Sequence, residues 1–433
     1  MAARPNRTFR SLRNQGFRWF AAGSLITNIA VWMQRIAQDW LVIQETGSPL
    51  AVGVTTALQF LPVLLFGPLF GAMADRWPKR RQIVLAGVGM GIAALLMGLV
   101  IVTGTLADWH IYALAFLLGT GAAADGPVRQ AYLREIVPRD DLSNAISLNA
   151  ASFHSARIIG PAIAGVTIAG IGTGPVFLLV GVGMLLGLVT LFGLGRVEVS
   201  TATADDRAVP LDEEEAIDEA ALTAGRAGTG GLRGAWQHLR ARPALLITMA
   251  LAGLVCAFAL NFQVTVTLMA TTVFGLGADE FGALTTIMAI GSIAGALLSA
   301  RRQMPGFGLV VATAVVLGVL YAAAGYVPNF WWFGVAMLPI GLVSNTFMTS
   351  ANAAVQLRVE PEFQGRVMAL YIAASNALTP VGAPLIGWIA QLADARLSLA
   401  IGGTVAVAAA LLALIAYIRV GAIGRTGPQP ATS

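Results

Sequence analysis

The chain has 433 residues, 57% of them hydrophobic and 11% charged, with a formal net charge of +5. That balance excludes a fold with a mainly water-facing surface, and the single cysteine, Cys256, excludes a disulfide within one chain. Three histidines and one cysteine argue against a structural zinc site. The positive charge is no nucleic-acid footprint, because the basic residues sit beside hydrophobic spans, where they set topology.

A helix that crosses a bilayer needs about 20 apolar residues. The basic N-terminus (Arg4, Arg7, Arg10, Arg13, Arg18) precedes an apolar run too long for a signal peptide and without a small-residue cleavage site. The run is therefore read as the first retained helix. Six spans are predicted at about 16–44, 50–74, 82–104, 109–132, 142–171 and 174–195, and six more at about 243–273, 280–300, 307–326, 330–357, 364–393 and 397–419. This is an all-α membrane protein of twelve transmembrane helices, with residues 1–195 and 243–433 as two six-helix bundles.

The segment 196–242 joins them. It carries Asp212, Glu213, Glu214, Glu215, Asp218 and Glu219, then a glycine-rich stretch from Gly225 to Gly234. Two readings stand: a solvated tether, or a docking site for a partner.

With the N-terminus placed inside, 24 of the 27 Lys and Arg fall on or at the edge of terminal segments and even-numbered junctions. Arg35 and Arg157 fall within spans, and Arg396 lies outside. This bias predicts a multi-pass protein of the inner or plasma membrane with both termini cytoplasmic. Trp40, Trp109, Trp331, Trp332 and Trp388 mark outer boundaries, Trp19, Trp77 and Trp236 inner ones, and Trp32 alone lies deep.

The halves echo each other. At a shift of 223 residues Pro138 matches Pro361, Ala150-Ala151-Ser152 matches Ala373-Ala374-Ser375, and Pro161 matches Pro384. At a shift of 224, Gly67 and Gly71 match Gly291 and Gly295. Six plus six spans around a long loop describe a pseudo-symmetric duplication, and parallel repeats of this kind hold a binding site between the halves near the midplane.

Three motifs carry a family resemblance. After span 2, Gly67 and Gly71 share a helix face suited to close packing, and Asp75, Arg76, Lys79 and Arg80 follow at the cytoplasmic helix end. This order resembles motif A of the major facilitator superfamily, which implies a cytoplasmic latch with a conformational role. Span 5 carries Gly160-Pro161-Ala162-Ile163-Ala164-Gly165, where proline frees a backbone carbonyl and small residues allow tight packing. It resembles motif C, the antiporter signature, with Ala164 where that family usually has Gly, and implies export in exchange for protons. Trp32-Met33-Gln34-Arg35, Thr46-Gly47-Ser48-Pro49-Leu50 and Asp125-Gly126-Pro127-Val128-Arg129-Gln130 resemble the subgroup that includes enterobactin exporters and macrolide efflux pumps.

Charge in hydrocarbon is expensive, so intramembrane polar residues are the candidate site. Arg35 and Asp39 stand at i,i+4 on span 1, Arg157 and His154 share span 5, and Asp125 and Arg129 stand at i,i+4 on span 4. Internal ion pairing is one reading; proton coupling or recognition of substrate charge is the other. Competition between a proton and Arg35 for Asp39 would link protonation to conformation, and His154 is a candidate relay.

The candidate cavity residues are amides: Gln34, Gln38, Asn149, Asn261, Gln263, Asn345, Asn352, Gln356 and Asn376. They either line the cavity or hydrogen-bond between helices. The deep acids and bases all lie in the first half, which predicts that coupling resides there while both halves contact the ligand.

The chain has no Walker sequence, nucleophile elbow or metal cluster, so it is expected to need no cofactor and to be no enzyme. The leading expectation is a secondary transporter that exports a medium-sized organic molecule, such as a siderophore or macrolide-like drug. Its partners are that small molecule, protons and the lipid bilayer, with no nucleic acid and a monomeric state. Uptake or facilitated diffusion is the alternative within transport, and a membrane sensor or scaffold docking through the acidic segment is the alternative outside it.

Overall fold

A computed structural model describes residues 7–192, 238–240, 242–299, 306–359 and 367–425, apart from 369, 372, 376 and 377. Nearly all of segment 196–242 and the residue Asn376 therefore lie outside the described residues.

The first half holds α1 (Gln15–Thr46), α2 (Pro49–Arg76), α3 (Lys79–Val102), α4 (Asp108–Ile136), α5 (Arg139–Ile171) and α6 (Thr173–Phe192). The second holds α7 (Pro243–Phe258), α8 (Phe262–Leu268, continued by a π-turn at Met269–Val273), α9 (Ala278–Ser299), α10 (Phe307–Ala324), α11 (Phe330–Gln356), α12 (Thr379–Leu392) and α13 (Ala395–Arg425).

Local chemistry places the boundaries. α1 ends at Gly47, whose φ of 60° suits only glycine, and its N–H bonds the Ile43 carbonyl at 2.9 Å. Ser48 then caps α2, accepting from the Ala51 N–H at 3.2 Å, and Pro49 occupies the first turn, where its missing N–H costs nothing. Asn14 and Asn329 cap α1 and α11 in the same way.

The outward faces are apolar: Leu85, Leu96, Val166, Val189, Leu297 and Leu412 are exposed, as side chains bathed by lipid would be. Ten helices among the described residues are long and apolar enough to cross a bilayer. The expected count of twelve exceeds this for two reasons. α1 has 32 residues, but Gln34, Arg35, Gln38 and Asp39 lower its hydropathy. The stretch leading into α12 is interrupted by undescribed positions.

One expected span differs in kind. The predicted helix 243–273 breaks at Ala259–Asn261 and resumes as α8. Asn261 turns its side-chain N–H back to the Ala257 carbonyl, Thr265 donates to the Asn261 carbonyl at 3.1 Å, and the Thr265 and Tyr321 hydroxyls bond to each other. Backbone freed by the break is thus satisfied internally, which a bilayer interior requires.

The helices pack as two groups. α1 lies against α5 and α6, and α4 against α2 and α3; in the second half α11 lies against α9 and α10, and α13 against α7 and α10. Two pairs make the main contacts between the groups, α2 with α12 and α5 with α9, and α8 adds lighter contacts to α1 and α2. The repeat equates α2 with α9 and α5 with the helix continued by α12, so the two junctions are copies of one contact related by the pseudo-two-fold axis.

The basic N-terminus packs on the first group. Arg10 pairs with Asp141 at 2.7 Å, Ser11 bonds Asn144 through its N–H (3.0 Å) and hydroxyl (2.8 Å), and Asn14 reaches the Ile136 carbonyl at 3.3 Å.

Candidate functional site

A cavity of about 410 Å³ lies between the two groups, a volume suited to a medium-sized organic ligand. The first half contributes Trp32, Arg35, Ile36 and Asp39 from α1, Phe60 from α2, and Arg157 and Pro161 from α5. The α1 residues recur at helical spacing, so one face of that helix forms the wall. From the second half, the α7–α8 break presents Leu260, Asn261, Phe262 and Gln263, while α9 adds Phe281 and Met288 and α11 adds Ser344, Asn345 and Met348. Cys256 on α7 also lines the cavity and contacts the Met348 sulfur at 3.6 Å.

Three lining residues carry charge: Arg35, Asp39 and Arg157. The two guanidiniums rest on the same indole, Arg35 at 5.1 Å and Arg157 at 5.4 Å from the Trp32 ring centroid, and Arg35 also lies 5.7 Å from that of Phe60. Aromatic faces lower the cost of holding a cation away from water. Gly160 sets this geometry. A Cβ there would fall 2.6 Å from the Trp32 Cβ and 3.1 Å from the Ile29 carbonyl, so only glycine lets α5 approach α1 closely enough for Arg157 to reach Trp32.

Asp39 is fully buried, and neither carboxyl oxygen has a hydrogen-bond partner among the described residues. The expected i,i+4 ion pair with Arg35 is not among the described ion pairs; Arg35 turns instead to the aromatic rings.

At one end the cavity is sealed by direct contact between the halves. Trp40 stacks on Phe281 at 6.2 Å, and Thr286 donates to the Ile158 carbonyl at 3.3 Å. A Cβ on Gly165 would lie 2.6 Å from the Ala278 carbonyl oxygen, and one on Gly282 would lie 2.7 Å from that of Pro161. Gln391 accepts from the Ser48 hydroxyl at 3.0 Å and from the Leu50 N–H at 3.3 Å. This is the end that the charge bias assigns to the outer face.

The expected site residues separate into groups. Arg35, Asp39, Arg157, Asn261, Gln263 and Asn345 meet in the cavity, as does Pro161. Gln34 and Gln38 do not line it. Gln34 donates to the Gln38 side-chain oxygen, Gln59 donates to that same oxygen at 3.1 Å, and Gln38 donates to the Ile111 carbonyl at 3.4 Å. These three glutamines tie α1, α2 and α4 together inside the first half. Asp125 and Arg129 pair with each other along α4, away from the cavity.

His154 is half-buried beside Phe153 without lining the cavity, and its Nδ1 has no hydrogen-bond partner among the described residues. Asn149, Asn352 and Gln356 likewise lie outside the lining.

In the motif A region, Gly67 faces open space rather than a packed helix. The side chain of Asp75 lies outside the described residues. Arg76 is exposed, Lys79 pairs with Glu135, and Arg80 is engaged. Gln82, unremarked in the sequence, closes the end of α2 by donating to the Met73 (2.8 Å) and Trp77 (3.1 Å) carbonyls. Sequence reasoning also passed over Trp32 and Phe60 as site residues. The depth of Trp32 was the available signal, since tryptophan favours the headgroup zone.

A family model described as "Transmembrane secretion effector" matches residues 6–423. The chain is 22% identical to macrolide efflux protein A of Streptococcus pyogenes over 83% of its own length and 86% of the relative. It is 24% identical to the uncharacterized MFS-type transporter YfiS of Bacillus subtilis, over 93% and 94%. The staphyloferrin A transporter of Staphylococcus aureus is 23% identical over 31% of this chain and 34% of that one. Among solved structures, the nucleoside transporter NupG superposes with a TM-score of 0.72 at 12% identity, covering 93% of this chain and 99% of the other. A bacterial homolog of the lysosomal transporter Spinster, in an inward-facing and unoccupied conformation, superposes with a TM-score of 0.66 at 15% identity, covering 96% of each.

Proposed function

We propose, from the premise that this chain belongs to the transmembrane secretion effector family of major facilitator transporters, that it exports a medium-sized organic molecule by alternating access in exchange for protons. It is a multi-pass membrane transporter and not an enzyme. A siderophore and a macrolide-like drug are the two cargo classes that its relatives' names bring to the reading. The domain plan carried into this reading is residues 1–195 and 243–433 as the moving halves, 196–242 as their tether, both termini cytoplasmic, and a monomer as the working unit.

The observation that carries the proposal is the cavity between the halves, with Asp39 buried and unpartnered in its wall. A lone carboxylate in a dry wall needs either a proton or a cation. Arg35, one turn away and resting on the Trp32 and Phe60 rings, is placed to answer the charge when the proton leaves. Proton release thereby reshapes the wall that touches the cargo, and that rearrangement is the coupling step. The sealed contacts of Gly165 with Ala278, Gly53 with Ala383 and Ser48 with Gln391 support a cavity filled from the cytoplasmic side. Motif C residues thus sit in the seam that must part when the cargo leaves.

Inside-out vesicles carrying the chain test this. Radiolabelled erythromycin and an iron-free hydroxycarboxylate siderophore serve as tracers, and an acidified lumen drives the exchange. At least one tracer is expected to accumulate, and collapsing the gradient is expected to abolish accumulation. Asp39→Asn is expected to lose uphill accumulation while keeping tracer counterflow. Accumulation indifferent to the gradient overturns the exchange, and absence of both accumulation and counterflow overturns export.

A further inference from the structure

The cavity contains two cations and one carboxylate. Arg35 and Arg157 share the face of Trp32, and Asp39 is the remaining charged lining residue. Neither arginine belongs to an ion pair among the described residues. With Asp39 ionised the cavity is one anion short of neutrality, and with Asp39 protonated it is two short. The rings of Trp32 and Phe60 hold the guanidiniums in place, but they carry no net charge and cannot balance them. A further donor stands idle there: the Trp32 Nε1–H is buried with no acceptor among the described residues. Surplus cation in a membrane interior is costly, and an idle buried donor adds to the cost, unless something that comes and goes supplies the missing acceptor.

We propose that the cargo supplies it: the transported molecule carries a carboxylate that docks on Arg35 and Arg157 beside Trp32. Its apolar body then lies against Phe281, Met288 and Met348. Two guanidinium forks offer the planar geometry that a carboxylate accepts in bidentate fashion. The inference rests on the transport reading above and names its cargo class.

A cargo carboxylate together with ionised Asp39 matches the two arginines, so the loaded cavity is neutral.

The test uses the full-length protein in lipid nanodiscs and two probes that share shape but not charge, 2-naphthoate and 2-naphthamide. Binding is measured at one pH near neutrality. The carboxylate is expected to bind about tenfold more tightly than the amide, the excess of charge-assisted over neutral hydrogen bonds. Arg157→Gln and Arg35→Gln are each expected to erase the preference, and Arg157→Lys to keep part of it, because charge persists while the fork is lost. Size-exclusion profiles establish that each variant is folded, and Arg157→Lys keeps the test informative if a glutamine variant is not.

Equal affinity for the two probes, no binding of either, or a preference surviving both glutamine variants overturns the proposal. A third probe of opposite charge, 2-naphthylmethylamine, overturns it too if it binds more tightly than the carboxylate, and turns attention to Asp39 as the cargo contact. The vesicle assay separates the two readings. Tracer flux without the naphthoate preference sinks the carboxylate assignment alone, and the preference without flux or counterflow sinks transport while leaving the anion site.

Discussion

Gly160→Ala tests whether the spacing of α1 and α5 holds the cavity together. The added Cβ would meet the Trp32 Cβ at 2.6 Å, the Ile29 carbonyl oxygen at 3.1 Å and the Met33 nitrogen at 3.2 Å. Ordinary contact needs about 3.5–4.0 Å between carbons, so the helices must part by roughly 1 Å. Two of the three contacts are backbone, which leaves no flexible side chain to yield. Overpacking of this kind costs about 1–3 kcal/mol, against which alanine returns about 0.5–1 kcal/mol of helix propensity. Gly89→Ala is the control: it stands within α3 with nothing inside 4 Å of its Cβ position, so it gains propensity without a clash. Thermal unfolding in detergent is expected to place Gly160→Ala below the wild type and Gly89→Ala at or above it. Transport is expected to suffer more than stability in Gly160→Ala, because Arg157 is drawn off Trp32. Equal stability and equal flux for the two variants would refute the claim that Gly160 sets this geometry.

Cysteines at Ser48 and Gln391, whose side chains touch at 3.0 Å, are expected to be bridged by a short cleavable bis-thiol crosslinker that arrests flux until it is cut; free transport with the bridge intact would deny that this seam opens. Gln38→Leu removes the acceptor shared by Gln34 and Gln59 and is expected to destabilise the protein by about 1–3 kcal/mol while leaving cargo affinity unchanged, read by unfolding and by KM. If a monoanion leaves as one proton enters, two positive charges move inward per cycle, worth about 4.6 kcal/mol per 100 mV together. A valinomycin-imposed potential alone is then expected to drive accumulation of a carboxylate cargo, and no response to it would argue against an anionic load.

Much of the fold was legible because a bilayer leaves few solutions. Apolar runs must be helices, basic residues settle at one side, and the Thr46-Gly47-Ser48-Pro49 stretch states a helix end and a helix start in consecutive residues. The break at Ala259–Asn261 was not legible, since no proline or glycine marks it and the side chain of Asn261 repairs it from within. Within α1, the pair Arg35 and Asp39 and the pair Gln34 and Gln38 have identical spacing, offset by one residue and so by about 100° around the helix. Depth and polarity cannot tell which pair faces the hollow. Trp32 can, because it shares the face of Arg35 and Asp39, but that requires knowing that the deep indole is a cavity residue. The separation of Asp39 from Arg35 was likewise unreadable, because the competing partners of Arg35 are rings brought from α1 and α2 together.

All the formal charge in the cavity comes from α1 and α5, while the opposite wall offers amides, hydroxyls, sulfur and aromatic surface. Under the proposed coupling, selection can therefore rewrite the second wall, trading Met288 or Asn345 for other shapes, without touching the charges on α1 and α5. Descendants of such a chain could diversify quickly in what they expel while keeping one inherited engine.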